Sequence, residues 1–212
     1  MVAMTALGVA LGAHPASAAS VTVAQWHMDE TSGSVMADSV GANHGTLHSV
    51  AVGRPGFAGT AYEFNGRSSY VSVPSNANLN PGSRNVTVTI RMNTTRRPTG
   101  TGDFDLIRKG YYSSAGGEWK VEYQPSGKAT CGFKGSRGYA ELTAGPSVSN
   151  GAWHTITCAK TASLVRLTVD GASFTKNAAV GSISNSNPVI VGAYPGAEFF
   201  PGRLDEAVIA YG

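Results

Sequence analysis

Short runs of alternating apolar and polar residues recur along almost the whole chain, and no window of helical length carries a 3.6-residue period. The runs are Val21 to His27, Tyr62 to Phe64, Tyr70 to Val73, Val86 to Met92, Asp105 to Lys109, Glu118 to Gln124, Trp153 to Lys160, Leu164 to Val169, Val189 to Val191 and Leu204 to Tyr211. β-branched and aromatic residues dominate them, as suits a pleated, half-buried surface. Turn-forming clusters separate them, among them Val40-Gly-Ala-Asn, Asn80-Pro-Gly, Pro98-Thr-Gly-Thr-Gly, Pro125-Ser-Gly, Asn150-Gly and Asp170-Gly. Regularly spaced short strands of this kind predict an all-β chain, an antiparallel sandwich or barrel. With 212 residues the chain suits one domain, or two small ones at most. No linker, composition shift or fixed-period repeat divides it after residue 19.

Composition narrows the functional classes. Charged residues make up 14% of the chain, against roughly 25% in an ordinary globular protein. At 42% hydrophobic it is too apolar for a disordered chain. The 27 glycines follow no three-residue period, which excludes collagen. A net charge of +3 on scattered Lys and Arg excludes a dedicated nucleic-acid binder. Met4 to Ala13 is an apolar run, followed by Ala16-Ser17-Ala18, a small-x-small cleavage pattern. The run is too short to span a bilayer, which needs roughly 20 apolar residues. Residues 1–18 therefore read as an export signal and 19–212 as the mature domain, secreted and without a membrane span. No Lys or Arg precedes Arg54, so the basic start of such a signal is missing, and a buried N-terminal helix is the alternative.

Cys131 and Cys158 are the only cysteines, and each sits in a strand-like run. In an oxidising compartment they are expected to form a disulfide, closing a loop of about 28 residues. Two buried free thiols are the alternative. A zinc site is disfavoured, because no Cys-x-x-Cys or paired-His spacing accompanies them.

Several segments, in order, resemble the laminin-G-like group of the concanavalin A-like lectin/glucanase sandwiches. They are Trp26 to Gly33 with Asp38 to Leu47, then Ala61 to Gly66 with Ser69 to Pro74, then Gly151 to His154 with Leu167 to Gly171, and finally Phe200 to Ile209. The match runs over about residues 24 to 211. The resemblance implies a two-sheet antiparallel jelly roll, and a ligand that is a glycan, a protein or unknown, since one fold serves many functions.

Laminarinase-type enzymes of this fold resemble a Glu-x-Asp-x-Glu strand, whose alternation sets the carboxylates on one face. This chain has Glu118-Trp-Lys-Val-Glu122. Lys120 stands where the family has Asp, and is expected to pair with both glutamates, lowering their pKa values on a solvated strand face. No lyase constellation, nucleophile elbow, phosphate loop or dinucleotide fingerprint is present. The chain is thus read as no enzyme.

The histidines lack chelating spacing, and the resemblance implies that His154 packs in the core with its ring nitrogen satisfied. Calcium is the better-supported metal. The resemblance implies one structural Ca²⁺ at Asp205, with carbonyls from Asn65 and Gly66 and charge from Asp29 or Asp38; the alternative for Asp205 is a hydrogen-bonded strand residue. Arg203 could instead occupy the Asp205 carboxylate. Asp103 and Asp105, in a glycine-flanked loop, form a weaker second site.

Sugar sites stack a ring face on an exposed aromatic and hold hydroxyls with a few polar groups. Trp26 and Trp153 read as core. Tyr111 and Tyr112 are adjacent and cannot both face inward on a strand, and Tyr194 and Phe199-Phe200 lie in loop context. Tyr111, Tyr112, Tyr194 and Phe199 are therefore the candidate ligand contacts. The expected function is a secreted, non-catalytic binding module for carbohydrate; an extracellular protein-interaction domain and a polysaccharide hydrolase or lyase are the alternatives.

Overall fold

The computed structural model describes residues 20–212, so the expected export signal at 1–18 lies outside the described residues. Two eight-stranded antiparallel sheets face each other. The first runs from β14 (Ala172–Asn177) through β13 (Leu164–Val169), β12 (Trp153–Lys160), β7 (Val86–Asn93), β16 (Pro201–Tyr211) and β5 (Thr60–Asn65) to β4 (Ala51–Pro55), with β1 (Val21–Trp26) also paired to β16. The second runs from β11 (Gly138–Ser147) through β10 (Lys128–Gly135), β9 (Glu118–Tyr123), β8 (Phe104–Lys109), β15 (Val189–Val191), β6 (Tyr70–Val73) and β3 (Gly45–His48) to β2 (Val35–Met36). The only helical element among the described residues is a 3₁₀ turn at Ala77–Leu79, and no helix is long and apolar enough to cross a membrane. The jelly-roll sandwich expected from the alternating runs is the fold.

Alternation places the core. Val86, Val88, Ile90 and Met92 of β7 are buried, as are Ile156 and Cys158 of β12, and from the second sheet Ala129, Cys131 and Phe133 of β10. Cys131 and Cys158 are joined by a disulfide with their Cα atoms 5.5 Å apart, so the bond ties the two sheets together through the core. Trp26 is fully buried and its indole N–H donates to the Asn43 carbonyl at 2.8 Å. His154 is buried, with Nδ1 bonded to Asp170 and Nε2 to Asn150, as expected of a satisfied core histidine.

Two aromatic assignments need correcting. Trp153 is half-buried rather than core, because His154, Ile156 and Cys158 hold the inward positions of β12 and period two turns Trp153 outward. Its ring meets Phe57 edge-on at 6.4 Å and the Arg203 guanidinium at 5.6 Å. Phe200 lies in the loop before β16, as expected, but is fully buried between Phe64 and Tyr123 rather than open to a ligand.

Candidate functional site

The outer face of the second sheet carries a ladder of charges. Along β9 the inward positions are Trp119, Val121 and Tyr123, which leaves Glu118, Lys120 and Glu122 outward. In the neighbouring strand Asp105 and Arg108 are three residues apart, a spacing that a regular strand would put on opposite faces. A bulge between Asp105 and Ile107 adds one residue, and register then sets Asp105 beside Glu122 and Arg108 beside Lys120. On the other side, Gly132 of β10 lies opposite Lys120. A Cβ there would sit 2.6 Å from Lys120 Cε, so glycine leaves room for the lysine stem to cross the strand.

The ladder is buried, which corrects the solvated face expected from sequence. Asp105, Arg108, Glu118 and Glu122 are each no more than 4% exposed. Arg108 bridges β8 and β9, donating through Nη1 to Asp105 Oδ2 and through Nη2 to Glu118 Oε2, both at 2.8 Å, while its Nε–H donates to the Gly110 carbonyl. Lys120 pairs with Glu122 at 2.8 Å and lies 3.9 Å from Glu141, but its expected partner Glu118 belongs to Arg108. Burial pushes the Glu122 carboxyl up to about 8 and Asp105 to about 7, against the pull of Lys120 and Arg108 respectively. Glu118 is also raised by burial, so lysine does not lower this strand's carboxyls as expected.

This has a consequence for stability. The folded chain keeps a proton on Glu122 that the unfolded chain, near the ordinary value of 4.5, has released. Stability is therefore expected to fall as pH rises from about 4.5 toward 8. Urea unfolding of Glu122→Gln between pH 5 and 8 should show a shallower fall than the wild type.

Loops after β8 and β15 cover the ladder with tyrosines. Tyr111 and Tyr194 lie far apart in sequence, yet their ring centroids are 5.2 Å apart, and the Arg108 guanidinium sits 5.3 and 4.5 Å from them. The Tyr111 N–H donates to Ser114 Oγ, which also accepts from Asn187 Nδ2, so the tyrosine loop is tied to the segment entering β15. A cleft of about 270 Å³ opens here, lined by Tyr111, Tyr112, Tyr194, Arg108, Lys120 and Glu198, among others. Tyr112 is 61% exposed at its rim, edge-on to Tyr139 at 5.3 Å, with Lys134 Nζ 3.9 Å from its ring. Phe199 is half-buried and does not line the cleft. Three of the four aromatics expected at a ligand site thus share one cleft.

The expected calcium residues are not assembled into one cluster. Asp205 is fully buried, and its Oδ2 accepts the N–H groups of Phe57 at 2.7 Å and Ala58 at 3.1 Å. Oδ2 is thus held by backbone amides, the hydrogen-bonded role left as the alternative, while Oδ1 has no hydrogen-bond partner. Asp29 Oδ1 accepts from Thr60 N, Asp38 caps the backbone at Gln25, Val40 and Asn43, and Asn65 Oδ1 accepts three N–H groups of the turn beside Gly66. Arg203 donates to the Pro55 carbonyl and to Asn93 rather than to Asp205. Among the described residues, the one converging group is Asp103, Asp105 and Glu198, each offering an oxygen within 4.8 Å of the others. No sequence signal near Asp103 points to Glu198.

A family model described as the concanavalin A-like lectin/glucanases superfamily, Laminin_G_3, matches residues 65–211, more than half of the chain. The chain belongs to this laminin-G-like family. No curated protein matches it. Among solved structures, the laminin-G-like domain is similar to the binding domain of Paraclostridial Mosquitocidal Protein 1, with a TM-score of 0.69 and 17% identity over 89% of this chain and 48% of that one. It thus spans about half the length of that chain. It is similar to domain 4 of AbnA, an extracellular GH43 arabinanase from Geobacillus stearothermophilus solved with arabinotriose, with a TM-score of 0.67 and 17% identity over 91% of this chain and 93% of that one. Domains LG4-5 of the mouse laminin α1 chain give a TM-score of 0.57 at 21% identity, over 70% of this chain and 40% of that one. At these identities the likeness is one of fold.

Proposed function

We propose that this laminin-G-like domain is an extracellular, non-catalytic module that binds carbohydrate in the cleft lined by Tyr111, Tyr112 and Tyr194. The observation that carries the reading is the meeting of the Tyr111 and Tyr194 rings over the Arg108 guanidinium, at the wall of a cleft that also holds Lys120 and Glu198. Aromatic faces take the apolar side of a sugar ring, and fixed polar groups take its hydroxyls. The export pattern in the sequence and the arabinotriose complex of the similar arabinanase domain support the same reading.

Burial argues against hydrolysis. Glu118 and Glu122 are each 1% exposed and engaged by Arg108 and Lys120. An acid and a nucleophile for glycoside cleavage must both reach the scissile bond.

A glycan array that includes arabino-oligosaccharides tests the proposal. A ligand class should bind the wild type, and Tyr194→Ala and Tyr111→Ala should each weaken it about tenfold, corresponding to about 1.4 kcal/mol. Reducing ends should stay at background. Binding that survives both substitutions, or product release abolished by Glu122→Gln, would overturn it.

A further inference from the structure

We infer that the groove where β4, β5 and β16 meet the loop after β7 is a second ligand site, which takes an acidic polypeptide segment through Arg96 and Arg203. The groove encloses about 400 Å³, more than the tyrosine cleft, and shares no lining residue with it. Three arginines line it, Arg54, Arg96 and Arg203, against one carboxylate, Glu63. That carboxylate is already engaged, 2.9 Å from Arg54 Nε. Among the described residues, no ion pair reaches Arg96 or Arg203. Two arginines at the groove are thus left without a counter-charge.

Hydrogen bonds fix the wall of the groove. Arg203 donates through Nη1 to the Pro55 carbonyl at 2.7 Å and through Nη2 to Asn93 Oδ1 at 3.2 Å, which ties β16 to β4 and β7. A guanidinium carries five N–H donors, so three remain for a ligand. The Arg96 backbone N–H donates to Thr94 Oγ1, whose own hydroxyl donates to the Pro201 carbonyl, and the Tyr123 hydroxyl donates to the Arg96 carbonyl. Glycine at 202 lets the loop after β7 close on β16, since a Cβ there would lie 2.5 Å from the Asn93 carbonyl oxygen. Groups held in place before binding lose little freedom when a ligand arrives. The donors set the ligand chemistry. A planar fork of N–H groups matches a carboxylate in two parallel bonds. Two uncompensated arginines call for two carboxylates close together, as a segment rich in aspartate or glutamate carries. No aromatic residue lines the groove, so a sugar ring finds no face to stack on, which favours a peptide over an acidic glycan. The inference stands whether or not the tyrosine cleft takes a glycan.

The test is fluorescence anisotropy of labelled hexaglutamate titrated with the full chain, with labelled hexaglutamine and a labelled galacturonate oligomer as comparison probes. Hexaglutamate should bind with a Kd below about 1 mM at roughly 0.15 M salt, and hexaglutamine should not bind. Arg96→Gln, at an exposed loop position, should weaken binding about tenfold, and Arg203→Gln should do the same if it folds. Arg137→Gln removes an equal charge from the exposed turn between β10 and β11 and should leave the affinity unchanged, as should Tyr194→Ala. No binding below about 1 mM, equal binding of hexaglutamine, or wild-type affinity in Arg96→Gln would each overturn the site. Three other results would overturn it as well. An equal loss in Arg137→Gln would reduce the effect to net charge. A loss in Tyr194→Ala would move the peptide to the tyrosine cleft. Tighter, Arg96-dependent binding of the galacturonate oligomer would make the groove a site for acidic sugars.

Discussion

The double variant Cys131→Ala/Cys158→Ala is expected to be about 3.5 kcal/mol less stable than the native chain. The two residues are 27 apart in sequence, and cutting the bond frees a loop of that size in the unfolded ensemble. The cross-link also joins strands of opposite sheets, β10 and β12, so nothing but packing replaces it across the core. Alanine avoids burying two hydroxyls among Val88, Val121 and Leu167, which a serine pair would do. Urea unfolding with and without reductant checks the result. Reduced wild type and the double variant should lose similar amounts, and a loss under about 1 kcal/mol in both would mean that the bridge does not hold the sheets.

Most strands that the alternating runs identify are interior ones, β1 with its single partner β16 being the exception, and the strands they miss lie mostly at sheet edges. β14, β4, β11 and β2 end the two sheets. β14 buries no residue fully, β11 contains Gly145 and Pro146, β4 contains Gly53 and Pro55, and β2 is two residues long. An edge strand has water on one side and needs no clean alternation, so period two is weak where pairing is one-sided. β3, next to β2, is likewise hidden, since Gly45 and His48 bound it inside a glycine-rich stretch. By contrast β7 and β12 alternate through all eight positions, and there the pattern reads directly.

The site was legible in its aromatics and not in its electrostatics. Adjacent Tyr111 and Tyr112 cannot both face inward on a strand, and in the turn after β8 both line the cleft. Glu198 joins Asp103 and Asp105 only through the pairing of β15 with β8 and the turn that follows. The bulge that turns Asp105 and Arg108 to one side leaves no trace in residue type. Burial of the charged face has the same origin. Glu-Lys-Glu on a strand normally faces water, and here loops from two other places in the chain close over it.

Arg108→Met is expected to cost about 3–5 kcal/mol, the range for removing one partner of a buried ionic group. Methionine fills much of the volume but offers no donor, so Asp105 Oδ2 and Glu118 Oε2 both lose their partner inside the protein. The size of the loss should depend on pH. Without the guanidinium, both carboxyls hold their protons in the folded chain to still higher pH than they do beside it. The unfolded chain releases those protons near ordinary carboxylate values, so the variant's stability must fall more steeply with rising pH than the wild type's. The deficit should be least near pH 5 and greatest above pH 7, read by urea unfolding at each pH. Adding Glu118→Gln to Arg108→Met removes one stranded charge and should recover part of the loss at pH 7 and little at pH 5. A deficit that is flat across that range would mean that Arg108 acts by packing under Tyr111 and Tyr194 rather than by pairing charge.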